Sequence, residues 1–131
     1  MPKEIIHVPG LSESLAAAGV PLSFAVRANG FIFVSGMPPL DPKTAKPILG
    51  DIREQTKCCL DNLKLVLDAA GATLDDVVKV NVFIANSAYF DIVNTIYKDY
   101  FPSNPPARTF ATVGSWPWPF DIEIECIAIS G

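Results

Sequence analysis

Residues 51–84 read DIREQTKCCLDNLKLVLDAAGATLDDVVKVNVFI, and this stretch sets the fold class. Asp51 and Glu54 have capping-box spacing, with Asp in place of the commoner Ser or Thr, so a helix opens here. Ile52, Thr56, Cys59, Leu60, Leu63, Val66, Leu67 and Ala70 then recur on one helical face. Gly71 is the expected C-terminal stop. The β-branched run at 76–84 reads as a strand. Val78, Val80, Val82 and Ile84 are expected on one face, with Val77, Lys79, Asn81 and Phe83 on the other.

Upstream, residues 22–28 and 31–37 read as two strands joined by Asn29-Gly30, a strong hairpin signal. The second is apolar on both faces, as in a central strand covered on both sides. Residues 3–8 predict a short edge strand, and the Pro/Gly/Asp-rich 38–50 a loop. Downstream, Asn86 or Ser87 caps a second helix running to about Phe101. Its apolar face carries Phe90, Val93, Tyr97, Tyr100 and Phe101, with Asn94 among them. Strands follow at 107–113 and 121–130, separated by the Trp116-Pro117-Trp118-Pro119 loop. Six strands and two helices in the order β-β-β-α-β-α-β-β make an α+β domain spanning residues 1–131. Two helices on one face of such a sheet leave the other face apolar and open. A closed symmetric oligomer is the simplest cover for it.

Half of the 131 residues are apolar or aromatic, which suits a packed globular chain. Net charge is −4 and the ten basic residues are scattered, so a phosphate-tracking basic stripe is missing and nucleic acid is not the expected partner. Cys58 and Cys59 are neighbours on the first predicted helix and Cys126 lies in the last strand. That spacing gives no disulfide framework and points to a reducing compartment. The N-terminal MPKEIIHVPG has no signal-peptide apolar stretch and no run approaches a membrane span, so a cytoplasmic location is expected.

Arg108 opens a strand after Pro105-Pro106-Ala107 and should share a face with Phe110 and Thr112. A guanidinium at a sheet margin can grip a carboxylate through two parallel hydrogen bonds, or can serve as a surface charge or intersubunit ion pair. Glu123 and Glu125 share a face of the last strand. Neighbouring carboxylates raise one another's pKa, which suits acid–base work, but an exposed strand end paired with Lys79 or Arg108 would need the same residues. Asn94 is an amide on an apolar face and needs partners. Ser35 ends the most buried strand but has no convincing His partner, since His7 is the single histidine. Trp116 and Trp118 can wall a pocket or pack a core. No metal-ligand cluster, phosphate loop or nucleophile elbow is present in the sequence, so any chemistry is expected to need no metal and no cofactor.

Together FIFVSGMPPLDPKT at 31–44, the 51–84 stretch, FDIVNTIYKDYF at 90–101, PPARTFATV at 105–113 and IEIECIAIS at 122–130 resemble the RidA/YjgF family, also known as the L-PSP endoribonuclease family. The resemblance covers nearly the whole chain. It implies a chorismate-mutase-like subunit with a six-stranded mixed sheet. It also implies a homotrimer with a central barrel and three ligand clefts between subunits. Members of the archetypal type hydrolyse reactive enamine and imine acids, such as 2-aminoacrylate and its imine tautomer, to 2-oxo acids and ammonia. In that chemistry the arginine matching Arg108 binds the substrate carboxylate. The glutamate matching Glu123 holds or activates water, and the residues matching Ser35 and Asn94 belong to the surroundings.

Two positions depart from the archetype. Leu22 stands where it has a tyrosine, and Phe110 where it has a cysteine, so the expected pocket loses polar groups. Phe110, with Trp116 or Trp118, narrows the cleft and gives it an aromatic lining. The leading expectation is a deaminase of enamine or imine acids, 2-aminoacrylate-like or bulkier. A non-enzymatic trimeric binder of small carboxylates is the alternative, and the ribonuclease or translation-inhibitor role attached to the family name is a third.

Overall fold

The computed structural model describes residues 2–130. The elements are β1 (Glu4–Ile6), α1 (Leu11–Ala18), β2 (Ala25–Ala28), β3 (Phe31–Met37), α2 (Ile52–Ala69), β4 (Val77–Ile84), α3 (Phe90–Tyr100), β5 (Ala107–Thr112) and β6 (Ile122–Ile129). The strands form one mixed sheet in the order β1-β2-β3-β6-β4-β5. β4 and β5 are parallel, joined through α3, and every other pairing is antiparallel. Asn29 (φ 52°) and Gly30 (φ 82°) close the β2–β3 hairpin. Two successive left-handed residues give a turn whose twist matches that of the strands.

Helix α2 starts where the capping pattern places it: the Asp51 carboxylate accepts from the Glu54 backbone N–H at 2.9 Å. Gly71 follows its C-terminal end with φ 79°. All eight residues assigned to the apolar face of α2 are buried. They pack on Ile32 and Val34 of β3, Val80, Val82 and Ile84 of β4, and Ile122, Ile124 and Cys126 of β6, forming a single core. Helix α3 adds Val93 and Tyr97 to it.

The last turn of α2 has no basic residue of its own. Arg27 of β2 supplies that charge from the sheet. It donates to the Ala70 carbonyl, to Ser130 Oγ at 2.9 Å and to Glu4 Oε1 at 2.9 Å. A cation at a helix C-terminus opposes the negative end of the helix dipole.

Three features differ from the sequence expectations. A third helix, α1, precedes β2. Gly10 (φ 85°) donates to the Glu13 carboxylate at its start, and Gly19 (φ 71°) ends it in the left-handed conformation. Of its eight residues only Leu11 is buried, so no apolar stripe marks it in the sequence. In β4 the register with β6 slips between Val77 and Lys79. This bulge turns Val77 inward and Val78 outward, breaking the simple alternation. Leu22 precedes β2 instead of belonging to it.

The face of the sheet away from the core is open, so β3, expected from its two apolar faces to be covered on both sides, is covered on one side only in the single chain. Phe31, Phe33 and Ile129 are exposed there, with Phe31 opposite Ile129 and Phe33 opposite Ile127.

Candidate ligand-binding site

The sequence-predicted site residues fall into two separate groups. The first surrounds Arg108. Pro105 and Pro106 hold the chain extended before β5, and Arg108 then pairs with Val80 on the core side of the sheet, under α3. Its guanidinium carbon lies 4.8 Å from the ring centroid of Tyr97, 5.4 Å from that of Phe110 and 5.9 Å from that of Phe90. Phe90 and Phe110 meet edge to face at 4.7 Å. Ring faces attract a cation electrostatically and hold the planar guanidinium in place without using its N–H donors.

Arg108 has no ion pair among the described residues; the ion pairs there are His7–Glu13 and Arg27–Glu4. It opens into a cleft of about 580 Å³ whose walls include Asn94, Thr95, Tyr97, Pro105 and Pro106. Asn94 lines this cleft and Phe110 flanks the guanidinium, so both lie with Arg108.

Tyr97 was not singled out in the sequence as a site residue, although it sits three positions from Asn94 on the same helix. Its hydroxyl is buried with no hydrogen-bond partner. Burial pushes its pKa up to about 12, against the lowering effect of Arg108.

The second group surrounds Glu123. In β6 the residues Ile122 and Ile124 turn to the core, so Glu123 turns to the other face. It is half-buried, and burial first, then the neighbouring Glu125 charge, raises its pKa above the ordinary carboxylate range. Its side chain fills the space beside Gly36. A Cβ on Gly36 would lie 2.6 Å from Glu123 Cδ, so the absence of a side chain there makes room for the carboxylate. Gly36 is a second position that sequence reasoning did not assign to the site.

Glu123 forms part of the wall of an apolar pocket of about 440 Å³ with Leu22, Phe24, Trp116, Trp118 and Phe120. Trp116 packs against Phe120, the ring centroids 4.8 Å apart and the planes tilted by 36°. Leu22 and Trp116 therefore join Glu123, not Arg108. Ser35 lies in an adjoining recess with Leu22, and its hydroxyl donates to the Ser23 carbonyl at 2.6 Å. Glu125 receives a long hydrogen bond from Asn81 at 3.4 Å, and Lys79 bonds Thr109, so neither glutamate is ion-paired.

The three thiols are free. Burial raises Cys58 to about 11 and Cys126 to about 12 and pushes Cys59 well up, which leaves them poor nucleophiles. Among the described residues no group of three His, Cys, Asp or Glu side chains is placed to hold a metal ion, and no helix is long and apolar enough to cross a membrane.

A mixed sheet with helices on one face, an open apolar face and an unpaired arginine in a cleft under the last helix defines a small α+β subunit of the YjgF/L-PSP type. The family described as Endoribonuclease L-PSP matches residues 12–130, and the chain belongs to it. It is 43% identical to a RutC family protein of Pyrococcus horikoshii over 96% of this chain and 97% of that one. It is 34% identical to the 2-iminobutanoate/2-iminopropanoate deaminase of Dermatophagoides farinae, over 98% of this chain and 97% of the relative. A crystal structure of a Rid-family protein from Yersinia pestis, itself of unknown function, superposes with a TM-score of 0.87 at 37% identity. It covers 98% of this chain and 99% of that one. The resemblance drawn from the five sequence segments is thereby established, and the family includes proteins named as deaminases of reactive intermediates.

Proposed function

We propose that the protein hydrolyses enamine or imine acids to 2-oxo acids and ammonia, in a site completed between copies of the chain. One observation carries this reading: Arg108 is held by three aromatic rings in an open cleft while making no ion pair among the described residues. An arginine so placed has its donors free for a planar carboxylate. The deaminase name of the 34% identical relative supports the chemistry.

The substrate iminium carbon is already electrophilic. A water oxygen bonds to C2, and the C=N π pair moves to nitrogen. Glu123, a carboxylate with a raised pKa, accepts the water proton. Glu123 returns this proton to the nitrogen of the resulting carbinolamine. The C–N bond then breaks with its electron pair leaving on ammonia, and the hydroxyl oxygen forms the C=O of the 2-oxo acid as its proton passes to the Glu123 carboxylate and on to solvent. Orienting the acid and one water supplies most of what this reaction requires.

Arg108 and Glu123 lie on opposite faces of the sheet, so one small acid meets both only if two copies share it. A trimer that buries the open faces of its three sheets would also cover Phe31, Phe33 and Ile129. The three free thiols accord with a reducing compartment such as the cytoplasm.

The test generates imines in situ with an amino-acid oxidase and follows loss of the semicarbazone signal. Arg108→Ala is expected to lower kcat/KM by about 10²–10³-fold, the scale of lost charge-assisted bonds to a bound carboxylate. Unchanged hydrolysis of every imine by that variant would remove Arg108 from the site. Binding of 2-oxo acids by calorimetry without turnover would instead assign the protein as a carboxylate binder.

A further inference from the structure

We infer that the apolar pocket beside Glu123 is a side-chain subsite, and that the protein selects imine acids carrying an aryl or other bulky apolar group over those of the two- and three-carbon kind. This rests on the deaminase reading above and concerns which acid that site takes.

The pocket holds about 440 Å³, far more than a methyl group needs. Its lining is dominated by apolar and aromatic side chains, with Glu123 as its carboxylate and Lys46, Ser14 and Thr44 as its other polar members. Trp118 is 54% exposed and Leu22 46% exposed, both at this pocket. Large apolar side chains left uncovered around one concavity mark a place where an apolar ligand removes surface from water. Trp116 packs against Phe120 with the ring planes tilted by 36°, which restricts one of the indoles at the pocket wall.

Charge chooses the occupant further. A protonated imine carries its positive charge next to the carbon that water attacks. Glu123 offers the matching carboxylate at the pocket wall, beside the gap left by Gly36. With the iminium group at Glu123, the substituent on C2 has the indole-lined space before it. The carboxylate points away, toward the Arg108 cleft of a neighbouring copy. Trp116, Trp118 and Leu22 are then specificity-determining residues for the reaction.

Both tryptophans of the chain lie in this pocket, so its occupancy can be read from intrinsic fluorescence. The experiment titrates the intact protein with 3-phenylpropanoate and with propanoate. In parallel it compares hydrolysis of the imines made from phenylalanine and from alanine. The expected result is a saturable change in tryptophan emission with the aryl acid at concentrations where propanoate gives none, and a kcat/KM for the aryl imine at least about tenfold above that of the small one, the scale of discrimination an apolar pocket supplies. Trp118→Ala removes an exposed ring and should fold. It is expected to collapse that ratio toward one and to weaken the aryl-acid response.

Equal use of both imines with no emission change would overturn the subsite and leave the deaminase reading standing. Saturable aryl-acid binding with no imine hydrolysed would overturn the deaminase reading and leave the pocket as an aryl-acid site.

Discussion

Arg108 and Glu123 point to opposite faces of the same sheet, Arg108 under α3 beside Tyr97 and Glu123 away from α2 and α3, beside Gly36. If both act on one substrate, inactive variants at the two positions should complement each other. Arg108→Ala and Glu123→Gln chains, each inactive alone, are expected to regain activity when co-expressed. In a closed ring mixed one to one, about a quarter of the shared sites combine both intact halves. No recovery in purified mixed oligomers would place the two residues in unrelated sites.

The raised pKa of Glu123 gives a signed pH dependence. As the base, Glu123 must be ionised, so kcat/KM should fall as the pH drops through a value above the ordinary carboxylate range. Stability runs the other way. The folded chain holds this proton more tightly than the unfolded one, so Glu123 costs stability once the pH rises past its unfolded pKa. Glu123→Gln should therefore raise the Tm at pH 7 by a few degrees, and the gain should shrink at lower pH. A lower Tm for the variant at pH 7 would contradict this.

Gly36→Ala tests the space that Glu123 occupies. The new Cβ meets the end of a flexible side chain, so Glu123 swings aside and the chain still folds. Activity is expected to fall at least about tenfold with little change in Tm, because displacing a reacting group by about 1 Å costs rate more than stability. Full activity would show that the position of Glu123 beside residue 36 is unimportant.

Tyr97 separates ring from hydroxyl. Its phenol oxygen is buried without a partner, so Tyr97→Phe should leave stability unchanged or raise it by about 1 kcal/mol. KM should hold, since the ring under Arg108 remains. Tyr97→Leu removes that ring and should raise KM severalfold with a smaller effect on kcat. Equal KM values in the two variants would deny the ring its part in positioning Arg108.

The open sheet face should govern assembly. Phe33→Glu places a charge on it opposite Ile127. The wild type is expected to sediment as an oligomer and the variant as a single chain of 14.1 kDa that has lost activity with its neighbours. An oligomeric, active Phe33→Glu protein would move the interface elsewhere.

The long α2 helix and the central strands were legible because their burial is periodic. Each apolar position from Ile52 to Ala70 on one face of α2 is in fact buried. Helix α1 escaped because it buries only Leu11, and a helix without a stripe has no period to read. The Val77–Val78 inversion escaped because a bulge depends on the partner strand β6, not on the local sequence. At the candidate site, Arg108 and Phe110 could be grouped from the alternation along β5, whereas Asn94 was tied to them only by the family resemblance. Sequence could not show that Leu22 joins Trp116 and Glu123, because the segment before β2 and the loop before β6 are far apart in the chain and meet only in the folded protein.

Arg27 joins the first hairpin, the end of the last strand and the final turn of α2 through one side chain. Strand β1, the residue after β6 and the end of α2 therefore share a tether. Fraying of that helix end is coupled to loosening of β1 and β2, and the loss of Glu4 or Ser130 would be felt by a helix end that lies nowhere near either in the sequence.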